Sequence, residues 1–214
     1  MKPLKICFYN AFSHVYDAMI AFHSQDPKGE LRKECASLSV TAEAERVLDI
    51  CTGTGSTAIE MAPRAGERGM VVGVDFSRGM LRKAREKIRL RGISRVFLVE
   101  ATADRLPFRS ESFSTITCCY ALYELKDSQR REVFREAVRV LAKEGKFLMM
   151  EHETPVNVFI RFLFYLRIVL MGSFSALRFV RHELTIISEY FPSVKKNVLH
   201  SGKSKIIIAR KEKP

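Results

Sequence analysis

The chain has 214 residues, 47% hydrophobic and 28% charged, which suits one sizeable folded domain and excludes a disordered tail. Thirty-six Lys and Arg stand against 24 Asp and Glu, and the net charge of +12 favours anionic surroundings (nucleic acid, acidic membrane surfaces, phosphorylated molecules) without choosing among them. Five cysteines, an odd count without metal-ligand spacing, point to a reduced cytoplasmic protein with no metal site, and the interruption of the N-terminal apolar stretch by Asn10, Ser13, His14 and Asp17 argues against a secretory signal.

In chain order, residues 3–41 read as two helices. Leu4, Phe8, Phe12, Val15 and Met19 recur at helical spacing, and Asp26-Pro27 and Gly29 break the run before Leu31, Cys35 and Leu38. From Arg46 onward short aliphatic runs alternate with helical patterns. Strands are expected at Arg46–Cys51, Met70–Val74, Val96–Glu100, Phe113–Cys119 and Lys146–Glu151, with helices at Thr57–Ala65, Arg78–Arg91 and Ser128–Leu141. That order predicts an α/β fold with a doubly wound, mostly parallel sheet covered on both faces. The chain then runs Thr185–Phe191 (helix), Val194–His200 (strand), a Ser201-Gly202-Lys203 turn and Lys205–Ala209 (strand). Two strands joined by so few residues must be antiparallel, so the sheet is expected to have seven strands and to finish in a hairpin.

The densest chemical signal is Val47-Leu48-Asp49-Ile50-Cys51-Thr52-Gly53-Thr54-Gly55-Ser56-Thr57-Ala58, a buried strand that enters a small-residue turn and then a helix. Gly53 and Gly55 permit a tight turn and close approach of a ligand to helix-start N–H groups. Asp75, at the end of the next strand, can accept hydrogen bonds from both hydroxyls of a ribose. Gly-Thr-Gly-Ser-Thr-Ala also satisfies the dinucleotide pattern. Asp49 tilts the choice, because a carboxylate at the base of the loop repels a pyrophosphate and attracts a ligand bearing ammonium and sulfonium charges. The terminal hairpin tilts it the same way, since the six-stranded dinucleotide fold has none.

The order Asp49…Gly53-x-Gly55, Asp75, Leu106-Pro107-Phe108-x-x-x-x-Phe113, Arg139-Val140-Leu141-x-x-x-Gly145 resembles the class I S-adenosylmethionine-dependent methyltransferases across residues 46–151. Within them the chain is most similar to the ubiquinone/menaquinone-biosynthesis and related small-molecule enzymes, through Tyr9-Asn10-x-Phe12-x-x-x-Tyr16-Asp17 and Glu153-Thr154-Pro155. The resemblance implies S-adenosylmethionine as cofactor and a division into an N-terminal helical lid (1–45) and a Rossmann-like methyltransferase domain (46–214), with an apolar helical insertion at 155–181 near the acceptor. It further implies that Asp49, Gly53 and Gly55 hold the methionine part, with help from Thr52 and Thr54. Asp75 would take the ribose, Phe76 and Met80 would flank the adenine, and Thr102, Ala103 and Asp104 would lie along its edge. Thr102 departs from the Asp usual in relatives and supplies no charge, which leaves Asp104 to share adenine recognition and leaves open a non-catalytic, cofactor-binding interaction protein.

On the acceptor side the candidates are Tyr16 on the lid, Tyr120 and Tyr123 after the fourth strand, and His152 after the fifth, where open α/β sheets present their ligands. A histidine there can remove an acceptor proton near neutral pH. Core packing is the competing role for both tyrosines, and a solvent-facing loop position for His152. Residues 156–171 are almost membrane-like, yet eleven Leu/Ile/Phe/Val gain roughly 3–7 kcal/mol while Arg161 and Arg167 cost roughly 5–7. The run is also shorter than the ~20 residues of a span. It reads either as a helix capping the sheet edge or as a wall for a small, apolar or aromatic, quinone- or lipid-like acceptor, with peripheral contact to a membrane through Arg178 and Arg181 as a further reading. Basic residues cluster at 82–95 and 195–213. An RNA-methylating enzyme would use such a stripe, but the chain lacks an Asn-Pro-Pro-Tyr motif and a Pro-Cys nucleophile, and solvated surface is the simpler account.

Overall fold

The computed structural model describes residues 29–41, 45–154, 157–159, 161, 162, 165, 174–199, 202 and 204–211. The first predicted N-terminal helix, Tyr16 and most of the 155–173 stretch lie outside the described residues.

Helix α1 (Glu30–Ser39) turns Leu31, Cys35, Ala36 and Ser39 inward. Strand β1 (Arg46–Ile50) follows, then α2 (Ser56–Ala65), β2 (Met70–Asp75), α3 (Arg78–Leu90), β3 (Val96–Glu100) and β4 (Phe113–Cys119). A single 3-10 turn (Leu122–Glu124) leads to α4 (Asp127–Val140), β5 (Leu141–His152), α5 (Phe174–Ser188), β6 (Ser193–Val198) and β7 (Ser204–Arg210). The seven strands lie in the order β3-β2-β1-β4-β5-β7-β6. All pairs are parallel up to β5, and β7 then enters antiparallel to both β5 and β6, as the short turn between those last two strands requires.

Strand alternation sorts the core into two layers. Leu48, Ile50, Ile116, Phe147, Met149 and Ile207 face Val133, Phe134 and Ala137 of α4 and Phe179 and Ile187 of α5. On the opposite face Val47 and Val71 meet Ala58, Met61 and Ala62 of α2, while Leu148, Met150 and Ile206 meet Leu31 and Cys35 of α1. Helix α1 is thus a layer of the sheet's own packing. Lys146 in β5 fastens its C-terminal end by donating to the Leu38 carbonyl at 3.0 Å, where a cation also suits the helix dipole.

Two boundaries differ from the sequence expectation by more than three residues. Strand β5 begins at Leu141, because that residue pairs with Phe113 ahead of a register shift in β4. The described part of helix α5 already begins at Phe174 rather than Thr185 and is kinked at His182: Ala176 and Phe179 are buried before the kink, Glu183 and Ile187 after it.

Candidate active site

At the carboxyl end of β1 the chain turns sharply. Cys51, Gly53 and Gly55 all have positive φ (55°, 56° and 75°). At Gly55 the reason is double: a Cβ would strain the left-handed backbone and lie 3.0 Å from the Ala84 Cβ of α3. Gly73 of β2 leaves room for Thr52, whose side-chain atoms would lie 3.0 Å from an added Cβ. The turn is pinned from behind by Lys87, which donates to Thr54 Oγ1 at 2.8 Å and to Ser56 Oγ at 2.9 Å.

Asp49 lies beneath this turn, 2% exposed. Its carboxylate accepts from Thr52 Oγ1 and Thr117 Oγ1, both at 2.6 Å. Burial pushes its pKa up to about 6 against the two hydroxyl bonds, and the nearby Asp75 charge pushes the same way. Arg32 offers only a weak opposing field. A cation in the cradle would therefore relieve a poorly compensated buried charge, whereas a diphosphate would add to it.

Asp75 joins the two halves of the cradle. Oδ2 accepts the Gly53 amide at 2.9 Å and Oδ1 the Ser77 amide at 2.8 Å. Burial raises its pKa while these amides lower it. A carboxylate offers about four lone-pair sites, so hydroxyl donors can still be accepted. The Ala101 amide bonds the Asp75 carbonyl at 3.2 Å, which brings the 101–104 segment alongside. Thr102 and Arg105 close a tight turn there, with Thr102, Ala103 and Asp104 half-buried. Met80 is buried in the first turn of α3 and Phe76 is half-buried beside it. The cofactor-side candidates thus converge on one edge formed by β1, β2 and β3.

The Leu106-Pro107-Phe108 and Arg139 motifs prove to be partners. Arg139 donates to the Leu106 carbonyl at 3.0 Å and the Phe108 carbonyl at 2.7 Å, while Glu136 accepts the Leu106 amide at 2.7 Å. Their spacing in the sequence reflects one loop clamped by one helix.

The acceptor-side candidates divide. Tyr120, with positive φ, is 4% exposed, its hydroxyl is 2.9 Å from Ser204 Oγ, and burial pushes the phenol's pKa up. His152 sits across the β5–β7 register from Ser204 and stacks on Tyr120 with centroids 4.7 Å apart. Tyr123 meets the same imidazole edge-on at 6.3 Å. Tyr120, Tyr123 and His152 therefore form one aromatic group at the sheet edge.

Sequence reasoning passed over the charges that build this edge. Arg130, 1% exposed, donates to the Leu122 carbonyl at 2.9 Å and the Leu125 carbonyl at 2.6 Å, and lies 4.1 Å from the Phe179 ring centre. Glu151 accepts the Leu122 amide at 3.1 Å, so the turn is held at both ends of one residue. Lys205, counted above with the surface basic cluster, is 1% exposed and pairs with Glu183 at 2.6 Å, while Lys196 pairs with Glu153 at 2.6 Å. That removes two cations from any nucleic-acid-facing stripe. Among the described residues no helix is long and apolar enough to cross a membrane.

Comparison with known proteins identifies the family and the fold. The profile of the ubiE/COQ5 methyltransferase family matches residues 5–196. The demethylmenaquinone methyltransferase of Anoxybacillus flavithermus is 32% identical over 157 residues, covering 73% of this chain and 65% of that protein. The same-named enzyme of Listeria welshimeri is 33% identical over 147 residues, covering 69% and 61%. The chain thus aligns with slightly less than two thirds of those relatives' length. A crystal structure of a SAM-dependent methyltransferase from Aquifex aeolicus superposes with a TM-score of 0.63 at 18% identity, covering 98% of both chains, which is a likeness of fold. With the profile spanning most of its length, the chain belongs to the ubiE/COQ5 methyltransferase family.

Proposed function

We propose that this protein transfers a methyl group from S-adenosylmethionine to a small apolar or aromatic acceptor of quinone type. The observation that carries the reading is Asp49: a buried carboxylate whose hydrogen-bond partners among the described residues are two hydroxyls, at the base of a glycine turn whose other wall is Asp75. This donor set fits a ligand that combines positive charge with a ribose. When bound, S-adenosylmethionine supplies an electrophilic methyl on a sulfonium centre.

The chain's own residues do the rest. Asp49, with Thr52, Gly53, Thr54 and Gly55, would receive the amino-acid end, Asp75 the ribose, and the Phe76, Met80 and Thr102–Asp104 surfaces the base. Tyr120 stiffens the edge through Ser204 and supports His152, while Tyr123 would border the acceptor. Holding an acceptor in line and away from water is a positioning effect worth up to ~7–11 kcal/mol. The exposed Val158, Phe159 and Phe162 (70%, 69% and 60%) support an apolar approach to this edge, from a lipid surface or from solution. The demethylmenaquinone methyltransferases named above are the reason for choosing a quinone-type acceptor among apolar ones.

The test is incubation with methyl-labelled S-adenosylmethionine and a reduced naphthoquinone. The reading requires label in the organic extract. Label that stays with the cofactor while S-adenosylhomocysteine binds would leave a binding protein instead.

A further inference from the structure

Glu151 stands near the end of β5 directly below the Tyr120–Glu124 segment and is 4% exposed. Its Oε1 accepts the Leu122 amide and so anchors the turn. Its Oε2 is buried as well and, among the described residues, has no hydrogen-bond partner of its own. A buried polar atom left unpaired is destabilising, and more so when charged. Native proteins keep few such atoms, and a waiting partner is a common reason for those they keep.

The surroundings set this carboxyl apart from a plain structural anion. Glu124 of the turn repels it, and Lys205, directly opposite in β7, attracts it. Arg130 of α4, Cys118 of β4 and Tyr120 also feel its charge. Burial, with Glu124 adding to it, holds the carboxyl well above the ordinary range, against Lys205 and the amides of Leu122 and Tyr123. Strand alternation sends His152 to the opposite face, onto Tyr120, so the two neighbours leave the edge in different directions. Glu151 therefore offers a second proton acceptor at the same edge.

We propose that Glu151 is the catalytic base, with Oε2 receiving the proton of the acceptor's hydroxyl. The assignment rests on the acceptor reading given above. One proton must leave for each methyl gained, because the donor's positive charge disappears. The acceptor's O–H bond breaks with its electron pair left on the acceptor, and a new O–H bond forms on Oε2. The methyl–sulfur bond of the donor breaks with its pair left on sulfur as the acceptor's pair forms the new bond to the methyl, and the proton passes from Oε2 to water when the product departs. A carboxyl whose proton affinity is raised toward the working pH is a better base than an ordinary one.

Glu151→Gln retains a carbonyl for the Leu122 amide and cannot take the proton. S-adenosylhomocysteine affinity should stay close to wild type, while kcat on a reduced naphthoquinone should fall at least about 100-fold and lose its rise with pH. Glu151→Asp keeps the titrating group and should keep the pH limb at a reduced kcat, which separates proton transfer from loss of shape. A readout free of turnover is the infrared titration of the Glu151 carboxyl: its bands should be missing in E151Q and shift in the wild type when 1-naphthol binds. A kcat of E151Q within about threefold of wild type with the same pH limb overturns the assignment. So does a Glu151 band indifferent to 1-naphthol. A wild type that binds S-adenosylhomocysteine yet methylates no quinol contradicts the acceptor reading instead, and the infrared shift then decides Glu151 by itself.

Discussion

The edge proposed for the cofactor and the edge proposed for the acceptor sit on the same sheet but are built by different means. The first is a backbone device: positive-φ turns between β1 and α2, with Asp75 collecting amides from Gly53 and Ser77. The second is a side-chain device, in which buried Arg130, Glu151, Lys205 and Glu183 hold a turn, two strands and a helix together across long stretches of chain. A backbone cradle can be shared by many chains that bind the same ligand. A side-chain scaffold can be changed residue by residue, so that is where acceptor choice would reside.

The comparison can be broken most forcefully at the acceptor edge. Lys205→Met leaves the buried Glu183 without its partner and should lower unfolding free energy by about 3–5 kcal/mol in urea titrations, whereas pairing it with Glu183→Leu should recover most of the loss. Equal losses in the single and double variants would mean that the pair does not tie α5 to the sheet.

At the cofactor edge the effect of removing a charge has the opposite sign. The folded pKa of Asp49, about 6, lies above the 3.8 of an ordinary aspartate, so the folded chain holds an extra proton between those values. Stability then rises as the pH falls from above 6 to below 3.8, and the ionised form costs roughly 3 kcal/mol at neutral pH. Asp49→Asn should therefore raise Tm in the absence of ligand, flatten that pH dependence and weaken S-adenosylmethionine binding about tenfold or more. A lower Tm at neutral pH would contradict the charge argument.

Smaller effects sharpen the picture. Gly55→Ala should cost about 1–3 kcal/mol through its left-handed backbone, with the Ala84 contact adding to the strain, and should show it in both unfolding and nucleoside affinity. Thr102→Asp supplies a charged acceptor beside the expected adenine amino group and should tighten S-adenosylmethionine binding by about three- to tenfold with little change in Tm. No change in affinity would place the adenine elsewhere.

How far each edge could be read from sequence follows from the same contrast. Asp49, Gly53 and Gly55 fall within one short run and Asp75 closes the next strand, so strand period and loop chemistry together bring them to one place. The two-strand ending likewise announced the antiparallel hairpin. The acceptor edge joins Leu122 to Glu151 and Lys205 to Glu183, and no local period says which charges a fold will enclose. Lys205 therefore reads as surface until β7 is seen between β5 and β6. Glu151 was hidden by its neighbour: a histidine draws attention as a base, while a carboxylate inside an aliphatic strand looks like its exposed end. The start of α5 was obscured in a similar way, because its buried face includes the charged Glu183 and is broken by a kink at His182.

The charge of the ligand that the Asp49 cradle accepts decides between a sulfonium nucleoside and a dinucleotide. Calorimetric titration of S-adenosylmethionine from about pH 5 to 8, in buffers of different ionisation enthalpy, measures it directly. Binding should tighten as the pH rises through about 6, with a proton released on the acid side, and NAD should not compete. Affinity independent of pH, or displacement by NAD, would contradict a cation-binding cradle.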